Sequence, residues 1–354
     1  MCVIKTKNEK ETFNLKAAIE KLVAKIWPNF QKGEAFKTLS LEDIEKRPPP
    51  EWLFEGLLHK NTLNLFYGAS GLGKSFLAIA LMCSAAQNKP CGDVTVDAPN
   101  GWVLYISLEG HNGLSVRFKA FRKQQGIEKI DNLLVQIDGA NLLDDSEDGD
   151  LQKLSKTIHD LSINFDCLPS LIIVDTFALA IGSGDENNSD LIADFVKKLE
   201  KVRRIFETTF IVIHHTGHNG THPRGSSAFI ANFKTVLRLG KDQNGDVYVK
   251  HTKIKEGEKR RFWVEFSDVS WIDPGYGEQS SRVAALRHDK PKSYDKKLLE
   301  LLIREGREGG IRQSELQKLA LVELQISKSV FYRVCDTLIE NGQMKRENRV
   351  CFST

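Results

Sequence analysis

The chain has 354 residues, enough for two domains, or three if one is small. Hydrophobic residues at 41% and charged residues at 27% are ordinary for a globular protein, which excludes wholesale disorder, coiled coil and collagen-like repeats. With 50 Lys and Arg against 47 Asp and Glu, the net charge of +3 excludes a histone-like polycation, so nucleic acid would have to be held by local basic patches.

Met1-Cys2-Val3-Ile4-Lys5-Thr6-Lys7 leads into a charged stretch rather than the apolar core of a signal peptide, and no window reaches ~18 apolar residues. The expectation is a soluble, cytoplasmic protein with no membrane partner. Cys2, Cys83, Cys91, Cys167, Cys335 and Cys351 are scattered without a C-x-x-C pair, so they read as reduced thiols.

In chain order, helical spacing of Leu15, Ala18, Ile19, Leu22 and Ile26 predicts a helix over Phe13–Ile26, stopping at Trp27-Pro28. Pro48-Pro49-Pro50 is a stiff connector that closes an N-terminal segment, residues 1–50. The pattern then changes to short apolar runs: Leu63–Tyr67, Trp102–Leu108, Leu133–Ile137, Leu171–Asp175, Phe210–His214 and Thr235–Leu239. Continuous apolarity suits strands buried on both faces, and the amphipathic segments between them supply covering helices. This predicts an α/β domain with a mainly parallel sheet over residues 51–277, with Val247–Ile254 and Arg261–Phe266 as antiparallel strands at one edge.

Polar residues 278–292 read as a linker ending in Asp289-Lys290-Pro291-Lys292. Beyond it, residues 293–354 carry three apolar-striped segments, with Ser293, Ser314 and Ser327 as candidate caps. Met344–Arg346 and Arg349–Phe352 then form a candidate hairpin. Three helices and a hairpin in this order predict a small winged-helix domain. Its third helix would expose Lys328, Ser329, Tyr332, Arg333 and Asp336, and its wing carries Lys345, Arg346 and Arg349, a surface for duplex DNA or for a replication protein.

The chemistry is concentrated in Gly68-Ala69-Ser70-Gly71-Leu72-Gly73-Lys74-Ser75, which fits G-x-x-x-x-G-K-[ST] between a strand and the helix opened by Phe76. Backbone N–H groups of such a loop cradle phosphates, Lys74 reaches the β- and γ-phosphates, and Ser75 ligates Mg²⁺. ATP and Mg²⁺ are the expected cofactors. Asp175 ends an apolar strand and can complete the Mg²⁺ shell, while Glu109 follows the strand Trp102–Leu108 and is the candidate general base. His214, His218 and His222 recur at intervals of four, but Gly217, Gly220 and Pro223 break any helix that would align them, so a zinc site is not expected. The acidic run Asp144–Asp150 reads as a solvated loop without calcium-ligand spacing.

Gly68–Ser75, Ser107-Leu108-Glu109-Gly110, Leu171–Thr176, the loop Asp185-Glu186-Asn187-Asn188, and His214-His215-Thr216 with Arg224-Gly225-Ser226-Ser227 together resemble the RecA/DnaB superfamily of ring ATPases. The resemblance runs from about Trp52 to Phe266 and is nearest the RepA-type hexameric replicative helicases of plasmids and phages. It implies a RecA-like P-loop core, a homo-oligomeric, hexameric ring, and single-stranded DNA in a central channel. Glu109 would be the catalytic glutamate and His215 the γ-phosphate sensor. Segments Phe177–Asp190 and Gly217–Ala228 would face the channel. It also implies a basic residue supplied by the next protomer, with Arg224, Lys253 and Lys255 in matching places. DnaB-type enzymes carry an arginine where Lys255 falls, so Arg224 competes for that role. No other basic residue besides Lys74 stands in a segment aimed at the γ-phosphate. The expected function is an ATP-dependent DNA helicase or translocase. The alternative is a RecA-like regulatory or recombination ATPase that binds DNA without unwinding it.

Overall fold

A computed structural model describes residues 38–353 apart from 100, 110, 218–221, 226–227, 244, 291–293, 307–308, 325 and 327. The chain divides into two units, Met1–Pro49 and Pro50–Thr354. In the first, the described part holds one short helix, α1 (Leu41–Glu45), capped by Ser40, whose hydroxyl accepts from the Asp43 N–H. The helix expected over Phe13–Ile26 lies outside the described residues.

Among the described residues, the second unit is built on a nine-stranded sheet. Its parallel part comprises β8 (Thr235–Lys241), β3 (Leu63–Gly68), β7 (Thr209–His215), β6 (Pro169–Asp175), β4 (Trp102–Ser107) and β5 (Leu133–Gln136), in that spatial order. A small antiparallel pair, β1 (Trp52–Phe54) with β2 (Leu58–His59), precedes it. Six apolar runs of the sequence thus become six parallel strands. Their lack of alternation has a direct cause. Leu171 and Ile173 of β6 point into one apolar core, while Ile172 and Val174 point into another on the opposite face. Helices α2 (Lys74–Gln87) and α3 (Leu114–Gln125) cover the first face; α4 (Asp150–Phe165) and α6 (Ser189–Phe206) cover the second. Two further short helices, α5 (Phe177–Ala180) and α7 (Ala228–Asn232), follow β6 and β7.

The antiparallel edge is longer than expected. After β9 (Val247–Ile254), strand β10 runs over Arg261–Asp273, beyond the predicted Phe266, and pairs with β11 (Gly277–Arg287) in continuous register from Trp263↔Arg287 to Asp273↔Gly277. Glu278–Arg287, expected as part of a linker, is therefore the outermost strand. Its polarity follows from position. An edge strand in a hairpin reaching beyond the core has little apolar surface to cover, and only Val283, Ala284 and Leu286 are buried.

Residues 295–353 form α8 (Asp295–Gly306), β12 (Ile311–Arg312), α9 (Gln313–Glu323), α10 (Lys328–Glu340), β13 (Met344–Glu347) and β14 (Val350–Ser353), around an apolar core that includes Leu298, Leu316, Phe331, Leu338 and Cys351. Ser314 does not cap α9. The helix starts one residue earlier, after Arg312, without a side-chain cap bond. Ser293 and Ser327 lie outside the described residues. Arg333, expected on an exposed face of α10, is half-buried and pairs at 2.9 Å with Asp246 in the turn between β8 and β9. That side of the helix faces the sheet domain, as the Arg333–Asp246 pair shows. Lys328 and Tyr332 remain exposed.

Candidate nucleotide site

The strand register assembles the site. Ser107 of β4 stands level with Asp175 of β6, and Gly68 of β3 with His215 of β7, so the carboxyl ends of four parallel strands form one row. This is the edge where open α/β sheets bind ligands. Gly68 leaves β3 into the phosphate loop, where Gly71 and Gly73 have φ of +76° and +98°, conformations that L side chains rarely adopt. A Cβ on Gly73 would also stand 2.5 Å from Cζ of Phe266 on β10. Loop shape thus rests on glycine both for its dihedrals and for the close approach of the ring.

Lys74 opens α2 and is only 7% exposed. Its Nζ donates to the carbonyls of Gly68 at 2.9 Å and Ala69 at 3.1 Å, and approaches Nδ1 of His215 at 3.3 Å. Burial holds its pKa below the usual lysine range, partly opposed by Asp175 and Glu109. The Ser75 hydroxyl donates to Oδ2 of Asp175 at 3.2 Å, and the Tyr105 hydroxyl donates to the same oxygen at 2.6 Å. Burial pushes the Asp175 carboxyl up against these two hydrogen bonds. A hydroxyl and a carboxylate within hydrogen-bonding reach of each other at the foot of a phosphate loop are the hard oxygen donors that Mg²⁺ prefers, so the residues present fit the ion. Backbone N–H groups of the loop and the α2 N-terminus fit polyphosphate.

Glu109 lies just past β4, with Leu108 tied by its N–H to the Asp175 carbonyl at 2.7 Å and the Ser107 hydroxyl donating to the Glu109 carbonyl at 3.2 Å. Its Oε2 is 3.7 Å from Nε2 of His215, and its side chain is 56% exposed. Lys74, His215 and Glu109 therefore form a chain of polar contacts along the wall of a cleft of about 280 Å³ that Phe76 and Thr176 also line.

Arg117 on α3 and Arg282 on β11 line the same cleft, with their guanidinium carbons 4.9 Å and 5.4 Å from the Phe76 ring centroid. Sequence reasoning missed both, and it also missed Tyr105. Tyr105 carried a usable signal, since it shares a strand face with Ser107, whereas Arg282 sits in the segment read as linker. The expectation that only Lys74 brings positive charge to this site from within the chain is thereby corrected.

The three candidates for a basic residue acting between protomers lie apart from this cleft. Lys253 on β9 pairs with Val236, which stands level with Leu65, three residues back from Gly68, or about 10 Å along the strand. Its ammonium donates to the carbonyls of Ile230 and Ala231 at the end of α7, both at 2.7 Å. Lys255 is exposed still farther from the phosphate loop. Arg224 is in the segment after β7, 54% exposed, with Nη1 3.7 Å from Oε1 of Glu186. Its backbone is fixed: the N–H donates to the His215 carbonyl at 2.9 Å, and its carbonyl accepts from Nε2 of His214, also at 2.9 Å. His214 is fully buried, stacked on Phe229, and burial lowers its pKa to about 4. Gly225 packs directly against the Glu186 carbonyl at φ +89°, so the segments following β6 and β7 touch. His218, Ser226 and Ser227 lie outside the described residues.

A family model described as an AAA domain matches residues 32–221, more than half of the chain, including the phosphate loop, Glu109, Asp175 and His215. The chain belongs to that AAA domain family. It is also 23% identical over 235 residues to the DNA repair and recombination protein RadB of Methanococcus maripaludis (strain C5 / ATCC BAA-1333), covering 64% of this chain and 99% of that protein. Family, relative and the mostly parallel sheet agree on a RecA-like P-loop ATPase core. Such a family implies nucleotide and Mg²⁺ use. The family match ends at residue 221, so Arg224, β8–β11 and the C-terminal helices lie beyond it. Among the described residues no helix is long and apolar enough to cross a membrane.

Proposed function

We propose that this protein is an ATP-driven DNA helicase or translocase that forms a hexameric ring around single-stranded DNA in plasmid- or phage-type replication. One observation carries the reading: Lys74, His215 and Glu109 are in sequential contact at the strand ends from which the segments after β6 and β7 depart. In this reading Lys74 holds the β- and γ-phosphates by charge, and Ser75 and Asp175 hold Mg²⁺. Glu109 accepts a proton from the attacking water. His215, touching both Lys74 and Glu109, senses whether the γ-phosphate is there. The bound metal would supply charge neutralisation at the phosphates.

The hydrogen bond from His214 to the Arg224 carbonyl would carry that signal into the two segments, which face DNA. The first of them is acidic through Asp185 and Glu186, so DNA contact falls to glycine backbone N–H groups and neighbouring basic side chains. Residues 293–354 act as a winged helix. With Arg333 occupied by Asp246, duplex DNA or a replication protein would be met by Lys328, Tyr332, Arg346 and Arg349.

A second reading is a RecA-like recombination ATPase that does not unwind, favoured by the likeness to RadB along nearly all of that protein's length. Strand displacement on forked DNA, with ATP hydrolysis measured in the same samples, separates them. Displacement that disappears in Glu109→Gln supports the helicase. Hydrolysis stimulated by single-stranded DNA without displacement selects the recombination ATPase, and absence of hydrolysis overturns both.

A further inference from the structure

A second cavity, of about 270 Å³, adjoins the phosphate cleft and shares Gly71 and Arg282 with it. The two cavities meet at these residues. The first is polar and carries the strand-end carboxylates and His215. The second is lined by Leu72 of the phosphate loop, Val247 of β9, Phe266 of β10, and Tyr294 and Val330 of the C-terminal helical unit, together with the charged side chains of Lys241, Glu265, Arg282 and Arg333. A triphosphate is anionic and compact, whereas a nucleoside is flat, largely apolar on its faces and edged with hydrogen-bonding groups. The first cavity carries the groups that suit phosphate, and the second adds apolar and aromatic walls beside charged groups that can meet a sugar or a base edge. Its volume is just below the roughly 300–1,000 Å³ typical of drug-sized ligands, which suits a single nucleoside.

We propose that this second cavity is the nucleoside subsite, and that the C-terminal unit completes the nucleotide site of its own chain. The inference rests on the phosphate-loop reading. Phe266 and Tyr294 present aromatic surface to a purine or pyrimidine ring. Glu265, held at 2.8 Å by Arg287, offers carboxylate oxygen to ribose hydroxyls. Arg282 stands at the junction of the two cavities, beside the positions that the ribose and α-phosphate would take. The wall contributed by the C-terminal unit is fixed by the Arg333–Asp246 ion pair, 2.9 Å long, with Asp246 largely buried. Nucleotide bound here would touch both parts of the second unit at once, so the base would strengthen docking of the C-terminal helices.

The test compares MgATP with magnesium tripolyphosphate, which carries the phosphates but no nucleoside, on the full-length protein by calorimetry. Val330→Trp fills the cavity from the wall that the C-terminal unit supplies, and Tyr294→Ala removes aromatic surface without adding bulk. Thermal melts check that each variant folds. Both variants should lose ATP affinity, by about tenfold or more for Val330→Trp, while tripolyphosphate binding stays within about twofold of wild type. Wild-type ATP affinity in both variants would overturn the assignment and put the base elsewhere, at a subunit interface for example. So would parallel loss of both ligands, which would mean that the substitutions act on the phosphate loop. Failure of the underlying reading looks different: wild type would bind neither ligand, or Lys74→Ala would bind both undiminished.

Discussion

Replacing Glu109 by Gln isolates the proton-accepting role from the rest of the site. The amide keeps the size and hydrogen-bonding reach of the carboxylate but cannot take a proton from water. Loss of a general base lowers a rate by about 10²–10⁴-fold, or roughly 3–5 kcal/mol of barrier. The Glu109 side chain is 56% exposed at the cleft mouth, where bulk water competes as proton acceptor, which puts the expected effect near the lower end, about 10²-fold. The same exposure limits the other consequences. Removing one solvated charge changes ligand binding by about 1 kcal/mol at most, so ATP affinity should move less than about fivefold. Stability should stay within about 0.5 kcal/mol. Phosphate release in a single turnover measures the first quantity, and titration with a fluorescent ATP analogue measures the second. ATP affinity falling as far as the rate would refute the argument and make Glu109 a structural residue of the loop after β4.

Lys74→Ala should abolish hydrolysis while the protein still folds, because desolvation of the buried ammonium offsets much of what its two hydrogen bonds to loop carbonyls contribute; near-normal turnover would remove the phosphate-loop assignment. His214 provides a pH test. Its folded pKa near 4 lies below the value of about 6.5 in an unfolded chain, so its contribution to stability is complete above pH 6.5 and is lost as pH falls toward 4. Between pH 7 and pH 5 this amounts to about 2 kcal/mol, and urea titrations should show His214→Asn losing that much less than wild type over the same range; equal losses would show that His214 is not buried as the neutral base. Arg224→Ala should assemble but hydrolyse slowly, and mixing it with Lys74→Ala should restore some activity through shared interfaces. Mixtures no more active than the separate variants would rule out Arg224 as a residue acting between subunits, and would leave the cationic role to Arg117 and Arg282 within the chain.

The sequence by itself determined the parts whose physics is local. A strand two-sidedly buried must be apolar throughout, so six runs announced six parallel strands, and a phosphate loop must have glycines and a lysine at fixed spacing, so Gly68–Ser75 announced itself. Strand ends are where this sheet type presents ligands, which made Glu109 and Asp175 legible, and the family resemblance added His215, before the approach of His215 to Glu109 was seen. What depends on register and on distant packing was not legible. Tyr105 meets Asp175 across 70 positions of sequence because β4 and β6 are neighbours. Arg282 enters the cleft because a polar segment that resembles a linker pairs along β10 as an edge strand, a role for which polarity is no obstacle. Lys253 reads as a candidate for the basic residue acting between protomers, yet the fold turns it onto the carbonyls that close α7. Arg333 reads as part of a nucleic-acid surface, yet docking of α10 sets it against Asp246. In each case a charged side chain's partner lies far along the chain, and only the tertiary structure decides which one it meets.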